Sequence, residues 1–230
     1  MLPLIAISIG DIHGIGPEVT LKAFHRSDLL DSCRPVMYGP EDAILHSRDQ
    51  LGVDVPLQRL DDAREATEGS VGYVVTAGTL DVDQIGRPTK ASGQASLDAI
   101  RAAFDAVHAG SAQALVTAPI SKEAIALAGS PFHGHTDMLA SFCGSGENVL
   151  MILSSNTMNV GLVTIHVPLR EVPSLITPER VTRTVRLAHR AMEEDFAIDH
   201  PRIAVLALNP HAGDGGVIGA EEADVIQPAV

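Results

Sequence analysis

Short apolar runs, each closed by glycine, proline or aspartate, alternate along this chain with stretches whose apolar residues recur every three or four positions. The first run, Leu4-Ile5-Ala6-Ile7-Ser8-Ile9, breaks at Gly10-Asp11. A buried parallel strand that ends in a functional turn has this pattern. Pro17 stands where a helix begins, because the first helical position needs no N–H, and the helix runs through Lys22 to about Arg26. Pro35-Val36-Met37-Tyr38 and Gly72-Tyr73-Val74-Val75 read as the next strands. Between them lie a charged helix around 41–49 and a segment rich in Asp, Ala and Glu that favours no element. From 91 to 109, Leu97, Ile100, Phe104 and Val107 fall on one helical face. Leu115-Val116-Thr117 is a strand stopped by Ala118-Pro119, after which Ser121 caps a helix carrying Glu123, Ile125 and Leu127. Strands over 149–153 and 160–165 are joined by a hairpin-length connection. Thr177-Pro178-Glu179 opens a helix with Val181, Val185, Ala188, Met192 and Phe196 on its inner face. Pro201 precedes a strand over 202–208, a glycine-rich loop covers 213–219, and a further helix begins at Ala220. Strands alternating with helices imply a mostly parallel sheet covered on both sides. Residues 76–89 are either a domain crossover or a long loop.

Composition narrows the function classes. At 230 residues the chain forms one large α/β domain or two modest ones, and 45% apolar with 20% charged residues excludes disorder and collagen-like structure. No apolar run approaches the ~18–20 residues that span a bilayer. Sixteen Lys and Arg against 29 Asp and Glu give a charge of −13, which repels nucleic-acid phosphates and anionic lipid. Neither nucleic acid nor membrane is therefore an expected partner. Met1-Leu2-Pro3-Leu4 has no basic region and no small-residue cleavage site, so it is not a secretory signal. Cys33 and Cys143 are too few for a disulfide framework and read as reduced thiols of a cytoplasmic protein. The absence of tryptophan, with only two Tyr and five Phe, argues against base-stacking platforms and carbohydrate clefts.

Functional groups of a parallel sheet gather beyond the carboxyl ends of its strands, and four turns qualify. In Gly10-Asp11-Ile12-His13-Gly14-Ile15-Gly16-Pro17-Glu18 the glycines either admit a ligand to the backbone or shape a tight turn in which Asp11 bonds amides. The spacing is neither G-x-G-x-x-G nor a P-loop. In Phe132-His133-Gly134-His135-Thr136-Asp137, His135 and Thr136 beside a helix start suit a phosphate, or Thr136 simply caps the helix running to Phe142. His166 and His211 follow the last two long strands, where two imidazoles can converge on one divalent metal. A third ligand is missing; Asp11, Asp137 and Asp214 are carboxylates that can supply it, and spacing selects none. Lys122 is either an anion contact or a surface lysine. No G-x-S-x-G elbow exists, so serine hydrolase chemistry is not expected. A metal-dependent phosphatase using the same histidines is disfavoured, because two-metal sites need more bridging carboxylates.

Taken in order, four blocks resemble the 4-hydroxythreonine-4-phosphate dehydrogenase family. They are Gly10-Asp11 with Gly14-Ile15-Gly16-Pro17-Glu18, Ala118-Pro119-Ile120-Ser121-Lys122-Glu123-Ala124, Gly134-His135-Thr136 and Thr164-Ile165-His166-Val167-Pro168-Leu169-Arg170. Asn209-Pro210-His211-Ala212-Gly213-Asp214-Gly215-Gly216, with Gly219 and Glu221-Glu222, is similar to the same family's next block. The resemblance implies a three-layer α/β/α fold akin to isocitrate and isopropylmalate dehydrogenases, not a Rossmann domain. It divides the chain at 1–118 and 119–230. It implies NAD- or NADP-dependent oxidation of a phosphorylated hydroxy acid of the 4-phosphooxy-threonine type, followed by decarboxylation, in pyridoxine biosynthesis. A divalent metal (zinc, magnesium or cobalt) and a homodimer with its active site at the subunit interface belong to the same expectation. His135 and Thr136 would contact the substrate phosphate, and His166 and His211 would be two of three metal histidines.

Two departures from the family pattern shape the expectation. Ile12-His13 stands where the biosynthetic enzymes have Pro-Ala, and His at the second position is similar to relatives that oxidise a cyclic dihydrodiol dicarboxylate. Those relatives lack the Gly-His-Thr block, which relatives acting on threonate or erythronate 4-phosphate retain, so a phosphorylated substrate is expected. The chain also stops at Val230, inside a helix just begun, whereas the family continues through its third metal histidine. On that reading the chain is a C-terminally truncated dehydrogenase, or an inactive remnant that only binds ligand.

Overall fold

The computed structural model describes residues 1–25 and 27–230, in two compact units, Met1–Phe142 and Cys143–Val230. In the first, β1 (Leu4–Ser8), β2 (Arg34–Gly39), β3 (Leu57–Leu60), β4 (Val71–Val75) and β5 (Ala114–Thr117) form one parallel sheet in the order β3-β4-β2-β1-β5. Helices α1 (Gly16–Phe24), α2 (Ser27–Leu30), α3 (Glu41–Leu51), α4 (Lys90–His108), α5 (Lys122–Leu127) and α6 (His135–Phe142) complete the unit. Side chains alternate across the sheet. Ile7, Ile9, Met37, Val71 and Tyr73 meet Leu21 and Phe24 of α1 and Ile44 of α3. On the opposite face Leu4, Ala6, Val36 and Tyr38 meet Ala103 of α4, with Ala102 and Val107 beside it. The result is three layers, α/β/α.

Local chemistry accounts for the boundaries. Pro17 sits in the first turn of α1, which ends at Phe24; the predicted extension to Arg26 lies outside the described residues. Gly52 closes α3 in the left-handed conformation, φ 60°. Thr89 and Ser92 form a reciprocal capping box at the start of α4. Ser121 caps α5, its hydroxyl accepting from the Ala124 N–H at 3.1 Å. The sequence pattern did not reveal β3, because Leu57-Gln58-Arg59-Leu60 is a polar edge strand in which only Leu60 is buried.

Helix α4 carries two buried faces where its periodicity suggested one. Ala95, Ala99 and Ala103 pack in the sheet cores, while Ile100 joins Ile125 and Met138 in a third cluster that includes Leu97, Phe132 and Phe142 at its margin. Small residues on α4 let neighbouring backbones come close. A Cβ on Gly93 would lie 1.9 Å from the Ala124 carbonyl oxygen. Packing on α4 is also why residues 119–142 go with the first unit, whereas the family resemblance placed a boundary at 118.

The second unit is more open. β6 (Ile152–Ser154) and β7 (Asn159–Gly161) make an antiparallel hairpin with Leu153 opposite Val160. α7 (Val172–Leu175) precedes α8 (Pro178–Glu194), whose cap Thr177 accepts from the Arg180 N–H at 3.2 Å. A π-turn at Glu222–Ile226 and α9 (Gln227–Ala229) end the unit. Three sequence expectations are corrected here. The strand predicted over 149–153 lies at Ile152–Ser154, the one over 160–165 stops at Gly161, and 202–208 forms no strand, since among the described residues no strand lies beside it to complete a ladder. Its apolar residues instead line a cavity of 780 Å³ with the hairpin and the inner face of α8.

The Gly93 contact gives a direct test of α4 packing. Gly93→Ala should destabilise the chain by about 1–3 kcal/mol through overpacking, seen as a lower urea midpoint with unchanged slope. A midpoint equal to that of the parent would show that α4 and α5 are not this close.

Candidate functional site

Chain order and sheet order together locate the ligand-binding edge. From β1 the chain builds outward through β2 to β3 and β4, then returns to place β5 on the other side of β1. The switch point is therefore between β1 and β5, where open α/β sheets bind ligands beyond their carboxyl ends. Two of the sequence blocks meet there. The Asp11 N–H donates to the Pro119 carbonyl at 2.9 Å, and Gly10, at φ 76°, lies so close that a Cβ would be 2.3 Å from the same oxygen. Asp11 is buried, and its Oδ1 accepts from the His13 N–H at 3.1 Å. Of the two readings open for this turn, the tight turn organised by Asp11 is the one the bonds describe.

The third block starts α6 in the same unit. Its cap is Asp137, not Thr136: the Asp137 carboxylate accepts from the His133 N–H at 2.6 Å and the Gly134 N–H at 2.9 Å. Burial works to raise this carboxyl, but the backbone N–H groups around it outweigh that and hold it below the usual carboxylate range. A signal existed in the sequence, since an acid three residues after the cap position is the reaching-back half of a capping box. Thr136 is exposed on the first turn.

His135 is different. Its ring is half-buried, burial pushes its pKa down, and its Nε2 is buried with no partner among the described residues. Lys122, at the start of α5, carries its Cε to 3.9 Å from the position a Gly134 Cβ would take, and no Cβ stands between them. The Asp137 Oδ1 lies 4.0 Å from the same position, so the Lys122 side chain and the Asp137 carboxylate both approach Gly134, next in sequence to the unpartnered His135 ring. The His133 and Gly134 amides are bonded to Asp137, so an anion here would rely on the first-turn amides of His135 and Thr136, the His135 ring, the Lys122 ammonium and the Thr136 hydroxyl.

His166 and His211 lie in the second unit, both exposed, and neither directly follows a strand. Both adopt left-handed backbone, φ 54° and 52°. His211 belongs to a run from 211 to 215 that is left-handed throughout, with Ala212 and Asp214 as further non-glycine members. Each such residue costs about 1–3 kcal/mol and persists only when its surroundings demand it. Here Glu221 and Glu222 supply the demand. The Asn209 N–H donates to Glu222 at 2.6 Å, and the Asn209 amide donates to Glu221 at 2.7 Å and to Glu222 at 3.0 Å. Bonding from Asn209 holds the Glu222 carboxyl below its ordinary value.

Two imidazoles remain one short of the three protein ligands a catalytic divalent ion usually takes. Among the described residues no three His, Cys, Asp or Glu side chains gather in a way that could hold a metal. The described residues therefore do not fit a complete metal centre. A dinucleotide finds no glycine-rich phosphate cradle after β1 either, because that turn is closed on Pro119. No chemical step below is derived through either group.

The Asp137 cap has a pH signature. Its folded pKa lies below the unfolded value of about 3.9, so its contribution is present above that value and is lost as pH falls through the folded one. Asp137→Ala should cost about 1 kcal/mol at neutral pH. In urea titrations from neutral to acid pH, the gap from the parent should close below the carboxylate range; a constant gap would exclude an ionised cap.

Comparison with known proteins agrees with the ordered blocks. The family PdxA, described as pyridoxal phosphate biosynthetic protein PdxA, matches residues 31–230. The 4-hydroxythreonine-4-phosphate dehydrogenase of Geobacter metallireducens is 41% identical over 231 residues, covering 99% of this chain and 68% of that protein. The enzyme of the same name from Bacteroides thetaiotaomicron is 38% identical over 226 residues, covering 98% and 62%. A crystal structure of a 4-hydroxythreonine-4-phosphate dehydrogenase from Burkholderia phymatum superposes with a TM-score of 0.87 at 32% identity, covering 100% of this chain and 70% of that one. The chain thus spans between 62% and 70% of the length of these relatives. A match over residues 31–230 at these identities leads to the conclusion that the chain belongs to the PdxA family.

Proposed function

We propose that the first unit holds the phosphate of a phosphorylated hydroxy acid, of the 4-hydroxythreonine 4-phosphate type, for oxidation by an NAD(P)-dependent dehydrogenase. The observation that carries this reading is the His135 Nε2, buried and unpartnered, in the block where the Lys122 side chain approaches Gly134. A phosphate oxygen would satisfy that nitrogen, and the Lys122 ammonium would balance its charge. Thr136 adds a hydroxyl donor at the positive end of α6.

In this reading the phosphate is a handle. Fixing it beside α6 limits where the hydroxyl-bearing carbon can lie, which turns binding energy into orientation. Burial keeps the His135 ring neutral near pH 7, and the approach of a dianion favours its protonation, so binding would draw a proton onto the ring. A nicotinamide would supply the acceptor for the hydride of the substrate carbon, with the hydroxyl proton released to water. A β-keto acid formed in that way loses carbon dioxide. His166 and His211 are the residues we assign to a divalent metal, as two ligands of a set they do not complete. Names of the relatives support this substrate class, and we extend it to a cytoplasmic homodimer with its active site at the subunit interface. Among the described residues no helix is long and apolar enough to cross a membrane.

Titration of the chain with 4-hydroxythreonine 4-phosphate and with unphosphorylated 4-hydroxythreonine tests the reading. The phosphate ester should bind far more tightly. His135→Ala and Lys122→Ala should each weaken it by about tenfold or more, the value of one charge-assisted hydrogen bond, and leave the unphosphorylated compound unaffected. Equal affinity for the two compounds would overturn the proposal. Threonate 4-phosphate in the same titration distinguishes the related substrate.

A further inference from the structure

Residues 76–89 join β4 to α4 along the carboxyl edge of the sheet. The Thr76 N–H donates to the Gly39 carbonyl at 3.1 Å and the Leu80 N–H to Asp42 Oδ2 at 2.8 Å, both just past β2. The Gly86 N–H then donates to the His13 carbonyl at 2.7 Å, past β1. Since β2 and β1 are neighbours, the segment crosses one strand end and then the next, as a strap. No residue in it is buried, and Val82 and Ile85 are 53% and 50% exposed. A segment held by so little packing opens at lower free energy than the elements it joins.

Beneath the strap's far end lies His13, 2% exposed. Its Nδ1 is 3.3 Å from the hydroxyl of Thr89, the cap of α4. That hydroxyl oxygen already accepts from the Ser92 N–H at 3.0 Å. Its proton is free to point at Nδ1, and in the tautomer we assign the ring proton sits on Nε2. Nε2 is buried and has no partner among the described residues. Closed, the strap therefore leaves one donor desolvated and unpaired; open, water satisfies it.

We propose that His13 is the latch of this strap. Its carbonyl and ring hold 86–89 over the end of β1, and the unpaired Nε2–H keeps the closed state poised to release, uncovering the Asp11 turn beside the β1–β5 switch point. The latch is a property of the first unit alone and does not depend on which ligand binds.

Hydrogen exchange of the 230-residue chain, followed by mass spectrometry, tests it. His13→Ala, which removes the bond to Thr89 and empties the buried volume the ring fills beneath 86–89, should speed exchange of the amides at 77–88 about tenfold or more, while those at 98–108 within α4 change little. His13→Gln, which keeps a polar reach toward Thr89, should retain part of the protection. Unchanged exchange at 77–88 in the alanine variant, or equal loss in both, would overturn the latch. Ring nitrogen NMR of the parent chain decides the matter should the alanine variant fail to fold: a proton on Nε2 is required, and a proton on Nδ1 overturns the proposal.

Discussion

The close approach of α4 to its neighbours is the constraint on which the first unit depends. A long helix can touch a sheet on one side and another helix on the other only if the side chains between them are small. Ala95, Ala99 and Ala103 serve toward the sheet, and Gly93 serves toward α5. Between these contacts the buried Ser96 hydroxyl donates to the Gly10 carbonyl at 2.9 Å and fixes the turn after β1. The larger Ile100 reaches Ile125 and Met138, and so fixes α5 and α6. Every element that bears a functional block of the first unit is thus referred to one helix.

That arrangement explains how residues far apart in the chain come to share one edge. Lys122 and His135 belong to separate short helices, neither of which would persist alone at this length. Their common packing against α4 brings the Lys122 side chain up to Gly134, the residue before His135. Asp137 occupies the amides of His133 and Gly134, so the proposed anion would meet the next amides of α6 and the side chains around them. In the second unit the same logic appears in another form. Asn209, Glu221 and Glu222 hold the left-handed run that carries His211, at a cost in backbone energy that regular structure would not incur.

Where the alternation of strand and helix was strong, it could be read directly. The runs at Leu4–Ser8, Arg34–Gly39 and Val71–Val75 are continuous apolar segments, and each became a parallel strand. Family membership was legible because five blocks, each weak alone, stand in the family's order along the chain. The edge strand Leu57–Leu60 escaped notice because half of it is polar, and 202–208 misled because an apolar run states only that a segment prefers burial.

What the chain alone determined was therefore the apolar strands and capped helices of the first unit, the residue types able to bind an anion or a metal, and the family. Those follow from periodicity, capping residues and motif order, which are local properties. Only the tertiary structure decided that α5 and α6 join the first unit and that His13 lies under a strap. Each of these turns on which groups separated by tens of residues come within a few ångströms, and burial and hydrogen bonding at that range depend on packing that no local pattern encodes.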